Sequence, residues 1–160
     1  MTSALQVIEL FAGNDPQGHP VVERLSVRQN GDESFQLVKS PAFIKGLAGG
    51  DEVTLLEDSK EFEIKQRSGN LCIRVYAKSH LAEISEQLTP ELEKLGGDLD
   101  TETARFLIYS IHVSCGFTAI ESLLNQYVTS AGGLWIYGNV YDPEDGVTPL
   151  NWWLDILQPE

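Results

Sequence analysis

The sequence predicts an α+β protein, with strands filling the first half and strands alternating with two helices in the second. Three observations carry this. Residues 5–66 break into short runs in which apolar and polar side chains alternate, the period of a strand with one buried face. The stretches "NDPQGHP", "QNGDE", "LEDSKE" and "RSGN" separate the runs and are rich in turn formers. Beyond residue 78, two segments switch to helical spacing, and each closes on a pair of glycines.

In chain order, "ALQVIELFA" sets Leu5, Val7 and Phe11 on one side. "PVVERLSVRQ" gives Val21, Leu25 and Val27 one face and Arg24, Ser26 and Arg28 the other. "ESFQLVK", "DEVTLLE" and "EFEIKQR" are shorter runs; in the last, Phe62 and Ile64 point inward while Glu61, Glu63 and Lys65 point outward. Five or six short antiparallel strands leave exposed edges, so closure into a small antiparallel β-barrel over residues 1–68 is expected. Glu23 falls on the apolar side of its strand, where a carboxylate needs a partner. Arg67 and Arg74 are the expected cations for it.

"SPAFIKGLAGGDEV", residues 40–53, invites a phosphate-loop reading. A phosphate loop requires Gly-Lys-Ser or Gly-Lys-Thr opening a helix, whereas Lys45 precedes Gly46 and "GGDEVTLL" enters a strand. The stretch therefore reads as mechanical: Pro41 stops one strand, "AFIKGLA" turns, and Gly49-Gly50 permits positive φ before the next.

Residues 69–142 read as β-α-β-β-α-β. "NLCIRVYAK" alternates Leu71, Ile73 and Val75 with Cys72, Arg74 and Tyr76. In "SHLAEISEQLTPELEKLGG", Ser79 is the expected cap, Leu81, Ile84, Leu88, Leu92 and Leu95 form one stripe, and Pro90 is expected to kink or break the helix. "DLDTET" reads as an edge strand and "ARFLIYSIHV" as the strongest strand of the chain. "GFTAIESLLNQYVTSAGG" is a second amphipathic helix with Phe117, Ile120, Leu124 and Tyr127 inward, and "GLWIYGNVY" closes the set. This order is that of a ferredoxin-like sandwich, with both helices on one sheet face.

The opposite face is expected to carry Arg74, Tyr76, Phe106, Ile108, Ser110 and His112, joined by Trp135 and Tyr137. So apolar a face needs a cover: the barrel, the C-terminal tail or another subunit. The tail, residues 143–160, holds Trp152, Trp153, Leu154, Ile156 and Leu157 and is expected to pack on protein.

Charge narrows the partners. The net charge is −13; residues 1–80 carry 11 acidic against 9 basic side chains, and residues 81–160 carry 13 against 2. Such a surface disfavours nucleic acid and anionic membranes; it suits a basic protein partner or simply keeps the chain soluble, the plainer of the two readings. No apolar run reaches spanning length. The N-terminus, with Glu9 and no basic leader, does not read as a signal peptide, so a cytoplasmic address is expected. Cys72 and Cys115 are too few for a disulfide framework.

Candidate chemistry is sparse. "SIHVSCGF" places His112 three residues before Cys115 at the start of the second helix, a possible base and thiol. A small buried cysteine and an ordinary strand histidine account for the same residues. His19, His80 and His112 show no metal-ligand spacing, and "DPEDG" (142–146) reads as a turn rather than a calcium loop. No metal or cofactor is expected.

"VVERLSVRQNGDESFQLVKSPAFIKGLAGGDEV" and "RSGNLCIRV" carry a resemblance. The matching residues are Glu23-Arg24-Leu25, Pro41, Phe43, Gly46-Leu47-Ala48, Gly50-Asp51, Arg67-Ser68-Gly69-Asn70 and Arg74-Val75. Over residues 5–77 the chain resembles the bacterial domain-of-unknown-function family numbered four-two-six-five. The resemblance implies a soluble bacterial protein and transfers no catalytic residues. Two functions follow as expectations. The first is a non-catalytic protein acting through a basic protein partner, in an immunity-like manner, or through a homodimer. The second is a small-molecule site between barrel and sandwich, lined by Glu23, Arg67, Arg74, Tyr76 and His112.

Overall fold

A computed structural model describes residues 5–30, 34–56 and 60–157. It is a mixed α+β fold with two antiparallel sheets. The first sheet is a meander of β1 (Leu5–Asn14), β2 (Pro20–Asn30), β3 (Ser34–Leu37), β4 (Glu52–Leu55) and β5 (Phe62–Gln66), each paired with the next. The second contains β6 (Asn70–Tyr76), β7 (Asp98–Glu102), β8 (Phe106–His112) and β9 (Leu134–Tyr137), in the order β7-β8-β6-β9. Helix α1 (Leu81–Lys94) joins β6 to β7, and α2 (Phe117–Tyr127) lies between β8 and β9. A single turn, α3 (Leu154–Leu157), lies near the C-terminus.

The expected barrel does not close. β1 and β5 are the edges of the first sheet and do not pair as strands; Phe11 N–H to the Lys60 carbonyl (2.9 Å) and Lys60 Nζ to Glu9 (3.0 Å) link the edge regions. The sheet's inner face is instead filled by the β3–β4 connection, residues 38–51. Ile44 and Leu47 of that segment join Leu10, Leu25, Val27, Leu37 and Val53 in one cluster. The inward face of β1 also differs from expectation: Ile8, Leu10 and Ala12 face the core, while Leu5 and Val7 are exposed. Both parities of β1 are apolar, so pairing decides, and it sets Ile8 opposite Leu25 and Leu10 opposite Glu23.

In the second sheet, register sorts the side chains. Leu71, Ile73 and Val75 stand opposite Ile111, Tyr109 and Leu107 and pack against Leu81, Ile84, Leu88 and Leu92 of α1 and Ile120 and Leu124 of α2. Each such aliphatic side chain contributes about 1.5–3 kcal/mol. Two helix details depart from the sequence reading. Ser79 does not cap α1; the N-cap is His80, in the left-handed region with φ 63° and no side-chain cap bond. Pro90 does not break the helix, which continues to Lys94 and ends where Gly96 adopts φ 92° and Gly97 N–H reaches the Leu92 carbonyl.

The other face of this sheet meets the same connection. Ala42 and Ala48 pack on Cys72, Ile108 and Phe106, so residues 38–51 form a layer between the two sheets. Glu23 holds that layer. Its carboxylate accepts backbone N–H bonds from Ala42 (2.7 Å), Phe43 (3.0 Å) and Ile44 (3.0 Å). The expected arginine partner is thus replaced by three amides, since the segment that carries them lies directly above the strand. The tail packs on its own chain: Trp153 lies edge-on to Phe117, and Trp152 Nε1 donates to the Asn139 carbonyl at 2.9 Å.

Glu23→Ala orphans three amides that bond a charged acceptor. Urea denaturation should show a loss of about 3 kcal/mol, with a melting point lower by roughly 6–12 °C.

Candidate functional site

Polar chemistry concentrates in the seam, because the irregular backbone of residues 38–51 presents amides and carbonyls that strands cannot satisfy. Gly49 N–H donates to Ser40 Oγ (2.8 Å), Ser40 Oγ lies 2.5 Å from Ser110 Oγ, and the Ser110 hydroxyl donates to Asp100. Asp100 also accepts the Ser40 N–H at 2.8 Å. A Cβ at Gly49 would lie 2.8 Å from Ser110 Oγ, so glycine there permits the approach of loop to sheet. At the segment's end, Asp51 is fully buried and accepts from Ala48 N–H, Ser68 N–H and Ser68 Oγ. Burial outweighs those bonds and pushes its carboxyl above the usual value, and the same cause raises Asp100.

Arg74 rises from the centre of β6 beneath the loop. It is 3% exposed, and Nη2 donates to the Ile44 carbonyl. Its Nε has no hydrogen-bond partner, and among the described residues no carboxylate forms an ion pair with it. Burial holds the neighbouring Cys72 thiol well above its ordinary pKa, so it stays neutral. Tyr76, two residues along, is half-buried with its ring edge-on to Phe106. Arg67 donates to the Gly46 carbonyl at 3.0 Å and stacks over the Trp152 ring, 5.5 Å from its centroid.

Two expected members sit elsewhere. Trp135 and Tyr137 lie on the helix side of β9, not on the face shared by Arg74. Trp135 Nε1 donates to Asn125 at 3.1 Å and the Tyr137 hydroxyl to Glu121 at 2.9 Å, both on α2. Their places opposite Val75 and Ile73 fix that side. His112 and Cys115 are not bonded to each other: His112 Nδ1 bonds Ser114, while the Cys115 thiol points to the Leu95 carbonyl at 2.9 Å. Cys115 lies in a short 3₁₀ turn before Gly116, the residue that caps α2. Glu23, Arg67 and Arg74 all bind the 38–51 segment, whereas His112 packs against Gly69.

Two clefts flank the seam. One of about 290 Å³ is polar, lined by Arg28, Gln36, Asn70, Asp98, Asp100 and Ser110. The other, about 390 Å³, opens at the β9 edge between Lys45, Arg74, Trp135, Tyr137 and Tyr141. Lys45 and Tyr141 escaped the sequence reading, because nothing in their local pattern links two loops far apart in the chain. Asp51 was visible as the acid after Gly49-Gly50, but its burial was not.

Fold and site together define a two-sheet α+β protein with two clefts beside a buried polar seam, and with His112 and Cys115 bonded to other groups rather than to each other. The chain belongs to the family described as a domain of unknown function, DUF4265, which matches residues 23–136. No curated protein matches it. Among solved structures, one described as a hypothetical protein from Neisseria gonorrhoeae is similar in fold, with TM-score 0.66 and 18% identity. The similarity covers 86% of this chain and 95% of that one.

For Asp51, the folded pKa lies above the ordinary 3.8, so ionising it within the fold costs stability as pH rises through that higher value. The advantage of the native chain over Asp51→Asn should therefore be largest in acid and shrink towards neutrality, as read by urea denaturation at a series of pH values. Gly69 has φ 95°, and a Cβ there would lie 2.4 Å from His112 Nε2. Gly69→Ala should cost about 2 kcal/mol or more. Adding His112→Ala should recover part of that in a double-mutant cycle; strict additivity would show that the ring does not press on this turn.

Proposed function

We propose that this is a non-catalytic binding protein that engages a basic protein partner through the flank made by α1 and the edge strand β7. The supporting observation is a row of exposed carboxylates there: Glu83, Glu86 and Glu93 on the outer face of the helix, and Glu102 on the strand beside it. Lys94, the basic residue of the helix, is engaged by Glu91 at 3.0 Å. Single-sign surfaces of this kind speed association with a partner of opposite charge. An immunity-like inhibitor of a basic toxin or enzyme is the concrete form of the reading. A homodimer is disfavoured on this flank, since two acidic surfaces repel.

The finer architecture belongs to the same proposal. The order β7-β8-β6-β9 with both helices on one face is what a ferredoxin-like sandwich requires. On that reading the units are residues 1–68 and 69–142, joined through the seam, with residues 143–160 as a tail. A cytoplasmic address fits two free cysteines. Among the described residues, no helix is long and apolar enough to cross a membrane.

The test is affinity capture from the source organism. At about 50 mM salt the native chain should retain a basic protein and release it at roughly 0.5 M, where screening is nearly complete. The triple variant Glu83→Lys, Glu86→Lys, Glu93→Lys should retain none. Equal retention by both chains, or no retention at low salt, overturns the reading.

A further inference from the structure

The 390 Å³ cleft at the β9 edge is separate from the acidic flank and carries its own argument. Its size falls in the range of small-molecule sites. Four of its lining residues, Trp135, Ile136, Tyr137 and Tyr141, give it apolar and aromatic walls. Two cations and two carboxylates complete it: Lys45 and Arg74, Glu121 and Asp142. Their formal charges cancel, so what matters is which groups are already satisfied.

Both carboxylates are occupied. Glu121 Oε2 accepts the Tyr137 hydroxyl at 2.9 Å, and Asp142 Oδ1 accepts the Glu144 N–H at 2.9 Å. The cations lack carboxylate partners, although Arg74 Nη2 donates to the Ile44 carbonyl. Neither Lys45 nor Arg74 forms an ion pair among the described residues. Arg74 is nine-tenths and more buried with its Nε unbonded, and its neighbour Cys72 provides no negative charge. A guanidinium so placed lacks the anion that buried arginines ordinarily hold.

We propose that this cleft binds a small monocarboxylate with a flat apolar body, its carboxylate at Arg74 and Lys45 and its body against Ile136 and Tyr141. A planar carboxylate matches the forked donors of a guanidinium. A phosphate dianion fits less well, because its second charge meets Glu121 and Asp142. The aromatic walls select a flat body over an aliphatic chain.

Benzoate is the smallest member of this class and serves as the probe. In ¹H–¹⁵N spectra of the whole chain, benzoate should shift the Arg74 Nε–H and Ile136 amide resonances saturably, while the amides of β1 and β7 stay in place. Benzamide, its uncharged counterpart, and inorganic phosphate should leave both resonances unmoved at the same concentration. Lys45→Glu and Tyr141→Ala, both at exposed positions that preserve the fold, should each weaken binding about tenfold or more, about 1.4 kcal/mol at minimum. The proposal fails if benzoate produces no saturable shift, if benzamide matches it, or if neither variant alters the affinity. An equal response to phosphate would show a general anion site and would also overturn it.

Discussion

The structure depends on a backbone that runs between two sheets without pairing as a strand. Residues 38–51 turn Ile44 and Leu47 towards the first sheet and Ala42 and Ala48 towards the second. A segment in that position can satisfy only part of its own amides and carbonyls with backbone partners. The surrounding side chains therefore serve others: Glu23 from β2, Arg67 beyond β5, Arg74 from β6, and the Ser40–Ser110–Asp100 chain that reaches β7. The clustering of charge in the interior follows from this one requirement.

The same requirement separates structural charges from free ones. Glu23 and Asp51 each meet several donors, which offset their burial, though at Asp51 only in part. Arg67 combines a carbonyl bond with an aromatic face. Arg74 stands apart, with one carbonyl on Nη2 and nothing on Nε, and it also borders a cleft. Where a fold otherwise matches donors to acceptors, a mismatch next to open volume is the place to look for a ligand.

Much of the fold was legible from side-chain spacing. Periodicity located the strands and both helices, and the stripe from Leu81 to Leu92 lies where 3.6 residues per turn put it. Closure was not legible, because alternation says which side chains are inward and not what fills the space they face; here a loop fills it. β1 misled because Leu5, Val7 and Phe11 compete with Ile8 and Leu10, and only pairing with β2 resolves two apolar faces. At the site, Glu23 was placed on the apolar side of its strand and Arg74 on the sheet face away from the helices, but the hydrogen bonds they make there go to backbone groups, which leave no mark in a sequence. Trp135 and Tyr137 went to the wrong side because a four-residue strand carries too little alternation to fix its face.

The intervening layer has a bearing on how the chain tolerates change. Two sheets that share a filling cannot lose one another: removing either would strip the cover from the other's apolar surface and abandon the carboxylates and guanidinium built to hold it. Insertions are admissible at the exposed hairpin around Gly18, where an added Cβ would meet no other atom, and inadmissible between Ser40 and Asp51, where Gly49 already lies against Ser110. Lineages descended from this chain are free to lengthen the tips of the hairpins, while the filling between the sheets must keep its size.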